Sequence, residues 1–240
     1  MPVAPRRPAG ARYWPGLDGV RAIAIVAVVV YHLSPGALPG GFLGVDLFFV
    51  VSGYLITTLL TDEWRRQGTI ELLRFWGRRV RRLYPAIAAL VAVLVPVTAL
   101  LDPRALAESR LTIVAALVYL TNWWFIFHHV SYFERFGPPP LLVHLWSLAI
   151  EEQYYLIWPP LLVLLLRRRR PARIALLALA GAAASALLMG LLYHGAGSLD
   201  RVYYGSDTHA EGLLFGSALA LVAPPTGFPA SVDARARRVL

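Results

Sequence analysis

The stretch Leu17-Asp-Gly-Val-Arg-Ala-Ile-Ala-Ile-Val-Ala-Val-Val-Val-Tyr-His-Leu33 decides how the rest of the chain is read. It is close to the ~20 apolar residues needed to cross a bilayer. Similar runs recur along the chain. Working outward, the sequence predicts spanning segments near 17–33, 42–60, 84–101, 111–127, 145–166, 174–193 and 210–222, separated by Pro/Gly turns and arginine clusters. The predicted fold is all-α: a polytopic transmembrane bundle of six or seven spanning helices. Residues 17–223 form the membrane domain, between a basic N-terminal segment at 1–16 and a polar tail at 224–240.

Composition agrees with that reading. Of 240 residues, 58% are hydrophobic and 15% charged, with a mean hydropathy of +0.58; a soluble domain carries roughly 25% charged residues. The formal charge of +9 would suggest nucleic acid in a soluble chain. Here the arginines stand between apolar runs, as in cytoplasmic loops facing lipid headgroups, so the expected partner is the lipid bilayer and not nucleic acid. There is no cysteine, which excludes disulfides, thiolate catalysis and cysteine–zinc sites. The first apolar stretch lacks a small-residue cleavage pattern and reads as an uncleaved span. Placing Arg6–Arg12 inside puts the Arg74–Arg82 loop inside too. Strict alternation would then put Arg167–Arg173 outside, against the positive-inside rule: either the segment near 111–127 does not cross fully, or the four-arginine run is an exception.

Ionisable side chains inside spans cost about 2.5–3.5 kcal/mol each and are therefore functional candidates. Arg21 and His32 fall within ~20° of each other around an ideal helix and roughly 16 Å apart along it, so they share a face, with Asp18 one turn before Arg21 and able to pair with it. The bland alternative is a snorkelling arginine and an interfacial histidine. His32 is the natural general base, because its unperturbed pKa lies near neutrality. With no cysteine available, direct attack by an acceptor hydroxyl is the simplest route.

The stretch Phe75-Trp-Gly-Arg-Arg-Val-Arg-Arg-Leu-Tyr-Pro85 follows an amphipathic segment, Ile70–Trp76, expected along the membrane surface. Its arginine forks suit phosphate oxygens, although ordinary cytoplasmic anchoring accounts for most such runs. In His144-Leu-Trp-Ser-Leu-Ala-Ile-Glu-Glu-Gln-Tyr-Tyr155, His144, Ser147 and Glu151 share one helical face. Glu151 and Glu152 there are placed to tune a histidine or to bind sugar hydroxyls. A Ser147 nucleophile is the weaker reading, since no hydrolase-type elbow surrounds it. In Tyr203-Tyr-Gly-Ser-Asp-Thr-His-Ala-Glu-Gly-Leu-Leu-Phe-Gly216, Gly212 and Gly216 form a small-xxx-small pair. Asp207, His209 and Glu211 fit no standard zinc spacing, so no metal is expected, and with His144, Trp146 and Ser147 they are read as substrate-positioning residues.

These strings, with Gly16-Leu-Asp-Gly-Val-Arg21 and Gly41-Phe-Leu-Gly-Val-Asp-Leu-Phe-Phe-Val-Val-Ser-Gly-Tyr-Leu-Ile56, resemble acyltransferase family 3, the bacterial integral-membrane O-acyltransferases. The resemblance spans Gly16 to Ala220. It implies a multi-pass protein of the bacterial plasma (inner) membrane that takes an acyl group, of the acetyl class, from acyl-CoA as co-substrate, with no bound cofactor. The implied acceptor is a hydroxyl of a cell-surface glycan or other carbohydrate-containing molecule. By resemblance, His32 is the base beside Arg21, Arg79 and Arg82 contact the donor, and His144, Trp146, Ser147, Glu151 and Glu152 carry the acidic signature. The family's unit has about ten helices, so the chain is expected to lack the last of them. His209 stands where many relatives have arginine, and Glu211 where many have aspartate. Two other readings stay open: a non-enzymatic transporter or flippase of lipid-linked glycans, and a truncated inactive remnant.

Overall fold

The computed structural model describes residues 15–34, 36–132 and 141–224. The basic segment at 1–14, the Gly137–Pro140 turn and the tail beyond residue 224 lie outside the described residues. Among those described, the chain folds as α1 (Pro15–Leu33), α2 (Gly44–Gln67), α3 (Leu72–Leu101), α4 (Pro103–Leu117), α5 (Thr121–Phe127), α6 (Leu145–Arg168), α7 (Pro171–Leu192), α8 (Leu199–Tyr204) and α9 (Ala210–Val222), with no strand. The all-α bundle expected from the apolar runs is present.

Four stretches are long and apolar enough to cross a bilayer: Gly16–Leu33, Gly41–Gln67, Leu72–Leu101 and Pro171–Leu192. The sequence predicted six or seven. The difference lies in α6, which has the length but carries Glu151-Glu152-Gln153 and Pro159-Pro160, and in α9, whose 13 residues span only about 20 Å at 1.5 Å per residue.

The core forms where α9 lies between α2 and α7. Gly53, Gly212 and Gly216 are buried at these crossings. A Cβ on Gly53 would meet the Leu213 carbonyl, and one on Gly216 the Val50 carbonyl. Small residues let backbones approach this closely. Ile56, Leu60, Tyr155, Trp158, Leu162 and Ile174 close the core around them.

Two segments differ from expectation. Ile70–Trp76 does not form a separate surface helix. Residues 72–101 make one continuous α3 through Pro85 and Pro96. Ile70 and Phe75 are buried against Tyr155 and Trp158, and the Trp76 indole donates to the Tyr155 carbonyl at 3.0 Å. Each interior proline costs about 3 kcal/mol, but the surrounding Leu, Arg and Ala favour helix, and in lipid no water would satisfy a broken turn.

The predicted segment at 111–127 is instead split into α4 and α5. Tyr119 takes a left-handed φ of 55° between them, and its carbonyl accepts from Gln153 Nε2 at 2.8 Å. With α2 and α3 crossing in turn, α3 ends on the same side as α1. The α4–α5 pair starts there, descends to Gln153 of α6, and returns to the end of α1, where Tyr132 meets His32. Non-helical backbone at membrane depth is tolerated where protein buries it. A network of side chains does so here: Asn122 donates to the Tyr204 carbonyl at 3.0 Å, Gln153 donates to Asn122 Oδ1 at 2.9 Å, and Ser206 donates to Gln153 Oε1 at 2.5 Å. A re-entrant pair removes one crossing, so Arg167–Arg173 falls on the same side as Arg74–Arg82.

Candidate active site

Five arginines of α1, α2 and α3 converge on one cavity of about 800 Å³. Arg21, Arg66, Arg78, Arg79 and Arg82 line it, with Glu63 and Glu151. Apolar residues of α2, among them Leu55, Ile56 and Leu59, form a wall. Guanidinium groups beside an apolar wall are able to hold phosphate oxygens and an apolar chain together. Neither Arg21 nor Arg82 has an ion pair or hydrogen bond among the described residues, and the expected Asp18–Arg21 pair does not form. Both guanidinium groups are therefore available to a ligand.

Arg79 is different. It donates to Glu152 Oε1 at 2.6 Å, and its guanidinium carbon stands 3.6 Å from the centre of the Tyr155 ring. Its charge is committed to α6, so it holds Glu152 in place. Glu151, one residue earlier, accepts from Ser52 Oγ at 2.6 Å at the inner wall of the cavity. Sequence reading grouped Arg79 with Arg82; the structure gives them separate surroundings.

His32 lies at the other end of α1, exposed. Its Nδ1 is 2.8 Å from the Val28 carbonyl. A carbonyl only accepts, so in the neutral ring Nδ1 carries the proton and Nε2 keeps its lone pair. Nε2 stands 3.1 Å from the Tyr132 hydroxyl. Tyr132 is held in turn: its backbone N–H donates to Asp200 Oδ1 at 2.8 Å, and its ring lies 4.7 Å from that of Tyr203. Burial raises the Tyr132 pKa above the ordinary phenol value, so the resting group is a neutral hydroxyl facing a base.

The remaining sequence candidates distribute around these two centres. His144 caps α6 at the same end as His32. Trp146 is 2% exposed and packs on Phe49 and Tyr203; it is a wall, not a ligand. Ser147 Oγ donates to the His144 carbonyl at 3.4 Å and has no base among the described residues, which removes the ground for a Ser147 nucleophile. Asp207 is not with His209. It forms a two-pronged pair with Arg201, at 2.6 and 3.0 Å. His209 instead meets Asp46 of α2 and Glu211, 3.3 and 3.6 Å from its Nδ1.

Tyr132, Asp46 and Ser52 were not singled out from sequence. Asp46 and Ser52 stood inside the quoted Gly41–Ile56 string, as polar residues in an apolar run, which is a readable signal. Tyr132 carried none, being a tyrosine in a polar loop.

A family model described as an acyltransferase domain matches residues 14–223. The chain is 45% identical over 230 residues to a peptidoglycan O-acetyltransferase OatA of Listeria monocytogenes, covering 95% of this chain and 37% of that protein. It is 48% identical over 214 residues to a putative peptidoglycan O-acetyltransferase YrhL of Bacillus subtilis, covering 89% and 34%. It is 45% identical over 214 residues to an O-acetyltransferase OatA of Staphylococcus aureus, covering 89% and 35%. The chain thus spans about a third of the length of these curated relatives. No solved structure matches it.

Proposed function

The chain belongs to the acyltransferase-domain family, and from that premise we propose that it is a membrane O-acyltransferase moving an acetyl group from acyl-CoA to a hydroxyl of a cell-wall glycan. The observation that carries this reading is the cavity rimmed by Arg21, Arg66, Arg78 and Arg82, of which Arg21 lies on the same helix as the His32 base, about three turns away. Arginines beside an apolar wall, two of them (Arg21 and Arg82) without a partner among the described residues, suit a nucleotide phosphate joined to an extended pantetheine arm. The arm then runs along the Arg21–His32 face of α1 towards the far side. The peptidoglycan acceptor rests on the relatives' names, and the bacterial plasma membrane follows from that acceptor.

In the direct form of the reaction, His32 Nε2 takes the proton of the acceptor hydroxyl. The acceptor oxygen attacks the thioester carbonyl, the carbon–sulfur bond breaks, and the coenzyme A thiolate recovers the proton from the imidazolium. Glu151 and Glu152 hold the inner wall through Ser52 and Arg79. A second form is favoured by one contact. The hydroxyl already on His32 is that of Tyr132, and a nucleophile within hydrogen-bond reach of a base is the arrangement for a covalent intermediate. Tyr132 then receives the acyl group first and passes it on.

Membranes bearing the full chain, supplied with acyl-labelled acyl-CoA and a glycan acceptor, test the proposal. Wild type consumes the thioester and labels the acceptor. His32→Ala loses at least about a hundredfold in rate while still inserting. Label retained on the wild-type polypeptide but absent from Tyr132→Phe selects the covalent form. A donor left intact by wild type sinks the proposal and leaves the transporter or inactive-remnant reading.

A further inference from the structure

His209, Asp46 and Glu211 stand apart from every step above. His209 is 5% exposed, and neither of its ring nitrogens has a hydrogen-bond partner. One ligand atom from each of the three residues lies within 4.8 Å of the other two. The distances are informative. Among the described residues the two shortest arginine–carboxylate pairs, Arg79 with Glu152 and Arg201 with Asp207, close to 2.6 Å, while Arg65 and Arg66 with Asp62 and Arg78 with Glu63 stay at 3.7–3.8 Å on side chains far more exposed than His209. His209 Nδ1 is held at 3.3 Å from Asp46 Oδ1 and 3.6 Å from Glu211 Oε1. Those separations are too long for charge-assisted hydrogen bonds, which run about 2.7–2.9 Å. They match the ~3.3–3.6 Å edges of a tetrahedron built on zinc bonds of about 2.0–2.2 Å.

Charge points the same way. Two carboxylates and a neutral imidazole around a divalent ion sum to zero. The same groups with an imidazolium leave one negative charge among Phe49, Trp146 and Tyr203, whose rings surround His209. Uncompensated charge in such surroundings is costly. Ser185 Oγ reaches Glu211 Oε2 at 3.3 Å, an outer contact of the kind that orients a ligating carboxylate.

We propose that Asp46 Oδ1, His209 Nδ1 and Glu211 Oε1 form a binding site for a divalent metal ion of the zinc class, with its fourth position open. The nitrogen–carboxylate donor set suits zinc better than the all-oxygen sets of magnesium or calcium. The ion ties the first turn of α2 to the N-terminal turn of α9. Tyr203 spans from this site to Tyr132, with its ring 5.6 Å from that of His209 and 4.7 Å from that of Tyr132.

The full chain, purified in detergent without chelator and dialysed against zinc ion, is analysed for metal by mass spectrometry. Wild type retains about one zinc per chain. His209→Arg is the informative variant: the resemblance places arginine at this position, so the fold accepts it, and a guanidinium satisfies both carboxylates without ligating. It inserts and elutes as wild type does and retains less than a tenth of the zinc. Asp46→Asn, similar in shape, serves as the second variant and weakens zinc binding at least tenfold. Wild type retaining no more zinc than His209→Arg overturns the proposal, whatever the acyltransferase assay gives, and so does undiminished binding by both variants.

Discussion

At the residue scale, the sequence exposes charge where lipid makes charge expensive, and hides partners contributed from far along the chain. Arg21 and His32 were legible because each interrupts an apolar run. Tyr132 was not, because its significance is the 3.1 Å contact to His32 across 100 positions, which no local pattern encodes. The same limit separated Asp207 from His209. Two positions apart in sequence, they take different partners, Arg201 and Asp46. The Arg201–Asp207 pair yields a test. Burial pushes the Asp207 carboxyl up, but the Arg201 guanidinium and nearby backbone N–H groups outweigh it and hold the pKa below the usual carboxylate range. A depressed folded-state value means that the stabilisation is present at neutral pH and is lost as pH falls through that value. Both side chains are about one-third exposed, so solvent screens the pair, and Asp207→Asn is expected to cost no more than about 1 kcal/mol. Thermal unfolding of the full chain in detergent should show Asp207→Asn less stable than wild type at pH 7. The gap should close in acid. A gap of constant size at all pH values would show that the loss lies elsewhere.

At the element scale, apolar length located most helices but misjudged where they break. The third predicted span began at Tyr84, because Pro85 and the arginine run read as a boundary. The helix continues through them, since packing on Tyr155 and Trp158 overrides the local signal. The reverse error occurred at 111–127. No glycine or proline marks the break at Tyr119; it exists because Gln153, itself held by Asn122, satisfies the exposed Tyr119 carbonyl. The small-xxx-small pair Gly212 and Gly216 did announce a close crossing, and its complement on α2 is Gly53. Gly53→Leu therefore drives a side chain into the backbone of α9 at Leu213. Overpacking of this kind costs about 1–3 kcal/mol when the surroundings can shift, and here the obstacle is backbone. The expected outcome is a sharp fall in monodisperse protein on size-exclusion in detergent, with Gly77→Leu unaffected, since a Cβ there meets only the tip of Arg81. Equal behaviour of the two variants would mean that α2 and α9 do not cross at Gly53.

At the scale of the whole molecule, the two ends of the bundle carry different chemistry. Arg21, Arg66, Arg78 and Arg82 gather at one end, and His32, Tyr132, His144 and His209 at the other. The sequence contained both sets but could not assign them to sides, because its alternation rule collided with the positive-inside rule at Arg167–Arg173. The re-entrant α4–α5 pair removes the collision: one crossing fewer brings the Arg74–Arg82 and Arg167–Arg173 runs to one side. A physical consequence is open to direct measurement, because the chain has no cysteine and single cysteines can be introduced into an unmodified background. An impermeant thiol reagent applied to intact cells should label Ser34→Cys, His128→Cys and His194→Cys. Gly68→Cys and Arg169→Cys should react only after permeabilisation. His128 is the deciding position. If α4 and α5 together crossed the bilayer, it would lie opposite Ser34 and stay unlabelled in intact cells, and Tyr132, four residues on, would be carried away from His32.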